Sequence, residues 1–349
     1  MERSKQKNSS SEPRRNGGLF CNLADLHVHL GATTSPHFLW ELAHMQGLRL
    51  PEKNYYAFIE SITLSRKSGH KQYLKKIGKQ ADESKHSPFN ITHTIQSSPV
   101  AVEECVHTAI AGAYRKTGIT RIELRFNPMF RNKNGEHDLD KIVLSAVMGM
   151  KRATIEYPVQ AGIIFETDRQ FTAEQHLIIV QKAIQFRNFG IVGLDVSGPN
   201  PPNFNIDPFI KAYALARKNG LKTTIHTGEF TDAEEMWEVL RKLKPNRIGH
   251  GIKATDDPKL VKYLASHSIP LELCPTSNIL TGIVSGWDEL SERIQILKKA
   301  GVILTVNSDG PEFMQTDVRR ELELLVEHKA ITLDDIPSII NNSHTHSFI

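Results

Sequence analysis

Short runs rich in β-branched and aliphatic residues alternate with amphipathic stretches along this 349-residue chain. Such alternation predicts parallel strands with helices packed outside them, and eight units favour an α/β fold of the (β/α)8 TIM barrel type over an open sheet. The predicted strands are 23–30, 120–126, 160–165, 192–196, 222–226, 247–250, 270–273 and 302–306. The predicted outer helices are 140–157, 172–187, 208–219, 232–243, 257–267, 288–300 and 317–328.

The connection between the first and second predicted strands is too long for a simple crossover. Apolar residues recur at helical spacing in four of its segments, 36–46, 55–64, 71–84 and 100–116. We therefore expect a helical insertion after the first strand, at about 36–117, which covers the mouth of the barrel. One metal-dependent barrel domain is expected to span 21–349.

The charge of the chain is concentrated at its start. Residues 1–20 carry five basic and two acidic side chains, so they supply +3 of the net charge of +4 and leave a nearly neutral body. We expect 1–20 to be a disordered basic tail, and the neutral body argues against nucleic-acid binding. No secretory or membrane-spanning segment is recognised. The three cysteines are widely spaced without CxxC, which favours a reducing cytoplasm.

Four short motifs follow predicted strands and offer metal-binding and acid–base groups. They are DLHVHL (25–30), HTGE (226–229), RIGHG (247–251) and NSD (307–309). His27 and His29 are two apart on a strand and therefore point to the same side. His344 and His346 have the same spacing near a helix, where residues two apart do not face each other, so we assign them no role.

The grouping of these residues favours catalysis over their ordinary individual roles. Each alone could be a buried polar group, a helix cap or a surface charge, but barrel active sites lie at the carboxyl ends of the strands. Imidazoles and one carboxylate, Asp309, suit Zn²⁺ with a position open for water, whose pKa the metal lowers to about 7. Glu229 is then a candidate acid, and His250 can hold or deprotonate the water.

The motifs HVHL, HTGE, RIGHG, LCPTSN and NSDGP, in this order, resemble the adenosine deaminase family of the amidohydrolase superfamily. The segment GLDVSG (193–198) is similar to the family's fourth strand, and the resemblance covers roughly 22–349. It implies a hydrolytic deaminase of purine metabolism, with a purine nucleoside or analogue as its small-molecule partner. The oligomeric state stays open.

The resemblance also implies specific roles for individual residues. It implies one Zn²⁺ per chain, with the ligands His27, His29, His226 and Asp309. Glu229 would donate a proton to purine N1, His250 would orient and activate the water with Asp309, and the Gly198 N–H would bind purine N3. Ser197 and Gly198 stand where binuclear relatives carry a metal-bridging lysine, which favours a single metal.

Two departures from the family pattern affect only residues that read the substrate. Gly31-Ala32 replaces the usual Asp-Gly, whose carboxylate contacts the sugar hydroxyl, and Gly310 replaces a second Asp that contacts purine N7. Gly31 and Gly310 are therefore candidate substrate-binding positions. We expect the chemistry to be retained while substrate recognition has changed, with a 5′-modified nucleoside used at least as well as adenosine.

Three functions remain open at this point. The first is a zinc-dependent aminohydrolase that acts on adenosine or a modified 6-aminopurine nucleoside. The second keeps the metal site but acts on a different amino-heterocycle. The third is a non-catalytic purine-binding relative. The zinc signature of cytidine deaminases, H-x-E with PCxxC, is absent from the sequence.

Overall fold

A computed structural model describes residues 20–64, 87–133, 135–201 and 204–349. Eight parallel strands follow one another around a barrel in the order of the chain, which confirms the predicted (β/α)8 fold. The strands are β1 (Leu23–His29), β2 (Ile119–Phe126), β3 (Gln160–Asp168), β4 (Ile191–Ser197), β5 (Lys222–Thr227), β6 (Arg247–His250), β7 (Leu271–Leu273) and β8 (Leu304–Val306).

The first and last strands meet just beyond the end of β8. Val28 and Asp309 form a parallel bridge, and the Asp309 N–H donates to the His27 carbonyl at 2.8 Å. The His29 N–H donates in turn to the Asp309 carbonyl at 2.9 Å. The Ser308 hydroxyl adds a 2.5 Å bond to the buried Asp25 carboxylate. The closure therefore places two predicted metal-binding motifs side by side.

Helices surround the strands, and all seven predicted outer helices are found within about one residue of their expected bounds. They are α5 (Leu139–Glu156), α6 (Ala173–Phe186), α7 (Asp207–Lys218), α8 (Ala233–Lys242), α9 (Pro258–Ser266), α11 (Trp287–Lys299) and α13 (Val318–Glu327). Three further helices were not predicted: α10 (Pro275–Leu280), α12 (Pro311–Met314) and α14 (Ile336–Thr345).

The insertion after β1 contains four described helices, of which three were predicted. They are α1 (Pro36–Met45), α2 (Tyr55–Ile62), α3 (Pro88–Ile95) and α4 (Pro99–Thr117), with α3 the unpredicted one. Helices α1, α3 and α4 all begin with a serine cap followed by proline, which suits the first helical position. The predicted helix 71–84 and the tail 1–19 lie outside the described residues.

The barrel interior beneath the strand ends is charged rather than apolar. Arg125 donates to Asp195 at 2.7 Å and to Glu272 at 3.0 Å, and Arg247 donates to Glu272 at 2.6 Å. All four side chains are at most 1% exposed. Buried charges are tolerated when they are paired and hydrogen-bonded, and this network fixes two carboxylates directly below the strand ends. Within the described ranges, no helix combines the length and apolarity needed to cross a membrane.

Candidate metal centre and active site

The predicted imidazoles come together at the carboxyl end of the barrel. His27 and His29 belong to β1, while His226 and His250 come from β5 and β6. Neighbouring ring centroids in this group lie 4.5–5.3 Å apart. Asp309, just past β8, points its carboxylate into the same group.

Three of the distances between candidate ligand atoms are close to those of a tetrahedral metal site. Asp309 Oδ1 lies 3.2 Å from His29 Nε2 and 3.8 Å from His27 Nε2. His29 Nε2 lies 3.2 Å from His226 Nε2. A tetrahedron of ligands at about 2.0–2.1 Å from Zn²⁺ has edges of about 3.3 Å. The three imidazoles present ligand atoms within 4.8 Å of one another, and Asp309 adjoins two of them, an arrangement that suits one ion.

Each of the three imidazoles is oriented by a buried carboxylate. A carboxylate oxygen lies 2.8 Å from each Nδ1, so every Nε2 faces the common centre. His27 Nε2 is buried without a hydrogen-bond partner among the described residues, and such an orphaned atom is expected of a ligand. The carboxylate–histidine arrangement is typical of metal sites. The pairs are His27 with Glu272, His29 with Glu166, and His226 with Asp195.

A second possible ligand group is weaker on chemical grounds. His27, His250 and Cys274 also present possible ligand atoms within 4.8 Å of one another. Burial and the nearby Asp309 carboxylate raise the pKa of the Cys274 thiol well above its usual value. Metals bind the thiolate, so Cys274 is better explained as a packed small residue.

Glu229 and His250 form a pair whose protonation states suit acid and base. Glu229 Oε2 lies 3.6 Å from His250 Nε2. Burial, together with the charge of Asp309, raises the pKa of Glu229 to about 8. Burial lowers the pKa of His250 to about 3. At neutral pH Glu229 therefore holds a proton while the imidazole is uncharged. The Asn278 amide lies 3.3 Å from His250 Nδ1 and fixes the ring.

Two residues of this centre have a backbone conformation that is unusual for any residue except glycine. His250 has φ 58° and Asp309 has φ 61°. Left-handed conformations of non-glycine residues cost free energy and are common at functional sites. Here they turn the chain directly at the strand end and aim both side chains at the centre.

The three glycines that are predicted to face the substrate differ in their surroundings. Gly198 has φ 91°, and a Cβ there would clash with the Asp168 carboxylate, so this position requires glycine. A Cβ on Gly310 would lie 2.9 Å from the Ala32 Cβ, so that space is already filled. A Cβ on Gly31 would make only ordinary contacts, the nearest at 3.4 Å. Gly31 is therefore the departure that leaves room.

Sequence reasoning missed the residues that support the ligands. Glu166, Asp195 and Glu272 lie within strands, and Asn278 ends the motif LCPTSN, to which no catalytic or ligand-supporting role was assigned from the sequence. A carboxylate inside an apolar strand, as in GLDV and LEL, is the signal that could have indicated them, because such a group needs a buried partner. No local signal marked Arg131, which lies beside Gly31.

The family match covers almost the whole chain: residues 22–349 match the family described as "Adenosine deaminase". The adenosine deaminase of Shewanella denitrificans is 28% identical over 87% of each chain. That of Clostridium kluyveri is 29% identical over 93% of this chain and 88% of its own. The chain belongs to the adenosine deaminase family. It is a hydrolytic deaminase that acts on a C–N bond.

Solved structures show the same fold at lower identity. An adenine deaminase from Arthrobacter aurescens has a TM-score of 0.80 at 20% identity, covering 94% of both chains. A zinc-bound amidohydrolase from "Burkhoderia ambifaria" has a TM-score of 0.80 at 19% sequence identity. The match covers 94% of this chain and 86% of that chain. The N6-methyl-AMP deaminase of Arabidopsis thaliana has a TM-score of 0.78 at 21% sequence identity. The match covers 95% of this chain and 93% of that chain. At such identities the likeness supports the fold alone.

Proposed function

We propose that this chain is a zinc-dependent deaminase that converts a 6-aminopurine nucleoside, adenosine or a modified analogue, to the 6-oxo product and ammonia. One observation carries the proposal. The candidate ligand atoms adjoin Glu229 and His250, whose facing atoms lie 3.6 Å apart and whose pKa values are shifted in opposite directions, upward for Glu229 and downward for His250. A pair of titratable groups whose pKa values are driven apart suits general acid–base catalysis.

Four side chains of the centre would hold one ion. Three nitrogens and one carboxylate oxygen form a donor set suited to Zn²⁺ in a catalytic site, and a zinc-bound relative of the same fold is known. When bound, the ion supplies Lewis acidity that lowers the pKa of a water to about 7. The proposed ligands are His27, His29, His226 and Asp309.

The remaining residues position the water and move protons. The Asn278 amide donates to His250 Nδ1, so the neutral imidazole carries its proton on Nε2. His250 therefore holds the water on one face of the purine by donating to it, and Asp309 accepts from the water. Glu229 donates its proton to N1, which makes C6 electrophilic. The water oxygen bonds to C6, and the water gives one proton to Asp309, which passes it to the amino nitrogen. The C6–amino bond then breaks and the amino group leaves as ammonia. The proton of the new C6 hydroxyl returns to Glu229, which leaves the 6-oxo product. The Gly198 N–H is directed at N3.

The choice of a purine nucleoside rests on the relatives. Two curated relatives are named adenosine deaminases, and neighbours of the same fold are named adenine and N6-methyl-AMP deaminases. The retained acid–base pair argues against a non-catalytic purine-binding protein. Gly31, where polar groups surround the position that the family's side chain would take, favours a modified nucleoside as the second candidate.

Ammonia release from the purified, zinc-loaded protein tests this function. The panel comprises adenosine, 2′-deoxyadenosine, adenine, and adenosines altered at the 5′ position. We expect release from at least one nucleoside, and none after the metal is removed by a chelator. Ammonia release from free adenine alone would show that the substrate is the free base and not a nucleoside. No release from any member would contradict the proposal.

A further inference from the structure

The space beside Gly31 is lined by polar groups from two separate segments. A Cβ at Gly31 would lie 3.4 Å from Thr92 Oγ1, 3.6 Å from His93 Nε2 and 3.7 Å from Arg131 Nη2. Thr92 and His93 come from α3, while Arg131 ends the 3-10 turn that follows β2. The position is two residues past the candidate ligand His29. The space therefore adjoins the metal centre on one flank.

Within the described ranges, Arg131 is a buried cation that has no ion-pair partner, and its guanidinium lies over the Phe126 ring at 5.9 Å from the centroid. Its side chain is 1% exposed, and Nε and Nη1 have no hydrogen-bond partner among the described residues. Burial lowers the pKa of Arg131 to about 10, so the guanidinium stays charged at neutral pH. A buried charge that lacks a partner is unfavourable unless an anion meets it.

The carboxylate that acts most strongly on Arg131 is already engaged. Glu166 raises the pKa of Arg131 against the effect of burial. However, Glu166 Oε1 lies 2.8 Å from His29 Nδ1 and accepts from the Ser197 hydroxyl at 2.9 Å. Glu166 therefore serves the metal centre, and the guanidinium remains available to a ligand.

One further donor, His93, borders the same space, and a second cation, Lys133, lies nearby on the exposed side. The His93 ring packs against Phe130, with 5.2 Å between their centroids. Burial, and then the charges of Arg131 and Lys133, lower the pKa of His93 well below its usual value. The neutral ring still offers one N–H donor. Lys133 lies in the same loop as Arg131, with Nζ 6.0 Å from the Phe130 centroid. A negative group is thus the ligand that this space would attract.

The geometry points to an oxyanion subsite in which Arg131, His93 and Thr92 bind a phosphate or carboxylate on the 5′ side of the substrate's sugar. This inference rests on the proposed function, which places the sugar beside Gly31. In this chain, a carboxylate at position 31 would lie beside Arg131 and could neutralise it within the protein. Glycine instead lets the substrate supply the negative charge. The substrate class is then a 6-aminopurine nucleoside with a 5′ oxyanion.

Substrate preference and its dependence on Arg131 test the subsite. The substrates are adenosine, adenosine 5′-monophosphate and the 5′-carboxylic acid of adenosine. We expect kcat/KM for one anionic substrate to exceed that for adenosine by at least about tenfold, the scale of one charge-assisted hydrogen bond. The better anion identifies the group. Arg131→Gln should reduce this preference at least about tenfold, whereas Arg187→Gln, which removes an exposed charge outside the barrel, should preserve it.

Gly31→Asp and a binding measurement make the test independent of how Arg131→Gln folds. The new Cβ would make only ordinary contacts, with Arg131 Nη2 at 3.7 Å, so the carboxylate should pair with Arg131 and shift the preference towards adenosine. Calorimetry should show that the wild-type protein binds one anionic product at least about tenfold more tightly than inosine. That product is either inosine 5′-monophosphate or the 5′-carboxylic acid of inosine. Gly31→Asp should abolish this difference.

Failure of the subsite and failure of the proposed function give different results. If adenosine is deaminated but neither anionic substrate is preferred and neither anionic product binds tighter, the subsite is wrong and the function stands. An anion preference that survives both Arg131→Gln and Gly31→Asp also overturns the subsite. If no nucleoside releases ammonia, the proposed function itself fails.

Discussion

At the level of residues, each metal-facing imidazole depends on a partner far away in sequence. Glu272, which binds His27 Nδ1 at 2.8 Å, is 245 positions away along the chain. Its other oxygen accepts from Arg247 and Thr224, so the carboxylate is itself fixed. Such outer contacts select the tautomer that leaves Nε2 free for the metal. The precision of the centre therefore comes from the buried ion network beneath it.

Replacement of Glu229 by Gln tests the proposed acid. Gln keeps the shape of the side chain but carries no transferable proton. Turnover should fall by about a hundredfold or more, the scale of general acid–base catalysis. Metal content, measured by elemental analysis, should be unchanged. A Glu229→Gln protein with near wild-type turnover would place the proton donor elsewhere.

Replacement of His27 or His226 by Ala tests the metal ligands. Wild-type protein should carry close to one divalent ion per chain. Either variant should lose the ion on dialysis, because only three of the four proposed ligands remain to hold it. His37→Ala is the matched control, since His37 is an exposed residue of α1. Full metal occupancy in either ligand variant would contradict the assignment.

The two family departures at Ala32 and Gly310 are sterically coupled. The family's usual pattern has glycine at position 32 and Asp at position 310, whereas this chain has the methyl group at 32. Gly310→Asp alone should therefore be overpacked and lose about 1–3 kcal/mol of unfolding free energy. The double variant with Ala32→Gly should recover most of this loss. Urea unfolding of the wild type, the two single variants and the double variant measures this coupling. Additive changes in unfolding free energy would exclude it.

At the level of elements, periodicity predicted the strands and outer helices because each buries a single apolar face or run. Helix α3 was missed because its sequence, with Asn90, Ile91 and Thr92, has weak helix propensity. Its Ser87-Pro88 start was the available signal. Helices α10 and α12 have only 6 and 4 residues, too short to show a period.

The contact between α13 and the start of α10 predicts a pH-dependent stability. The buried Glu321 carboxyl accepts from the Thr276 N–H at 2.9 Å, and burial raises the pKa of Glu321 to about 7 from 4.5. The folded chain therefore holds a proton that the unfolded chain releases between these values. This contribution to stability is present below about pH 4.5 and is lost as the pH rises through about 7.

Unfolding of metal-free protein at pH 5 and pH 8 measures this effect. Glu321→Gln has no titrating carboxyl at this position and serves as the reference. Relative to it, the wild type should lose about 3 kcal/mol of unfolding free energy from pH 5 to pH 8. Glu327→Gln, an exposed change on the same helix, is the control and should follow wild type. A Glu321→Gln protein with the same pH dependence as wild type would show that the carboxyl titrates normally.

At the level of the whole molecule, the barrel explains why the sequence predicted part of the site. The proposed ligands and the proposed acid–base pair lie in motifs at strand ends, and the fold gathers all strand ends at one face. The supporting carboxylates and Arg131 could not be predicted in the same way, because their importance arises from contacts between strands or between the insertion and a barrel loop. Only the folded chain brings those segments together.

The most direct test of the central claim is to measure ammonia and the 6-oxopurine product together in one reaction. Chelator-treated protein is compared with the same protein after one equivalent of Zn²⁺ is restored. Adenosine and its 5′-modified analogues serve as substrates. The account predicts one ammonia for each 6-oxopurine formed, with turnover returning only when the metal is restored. Equal turnover without metal, or no ammonia from any of these nucleosides with metal bound, would contradict it.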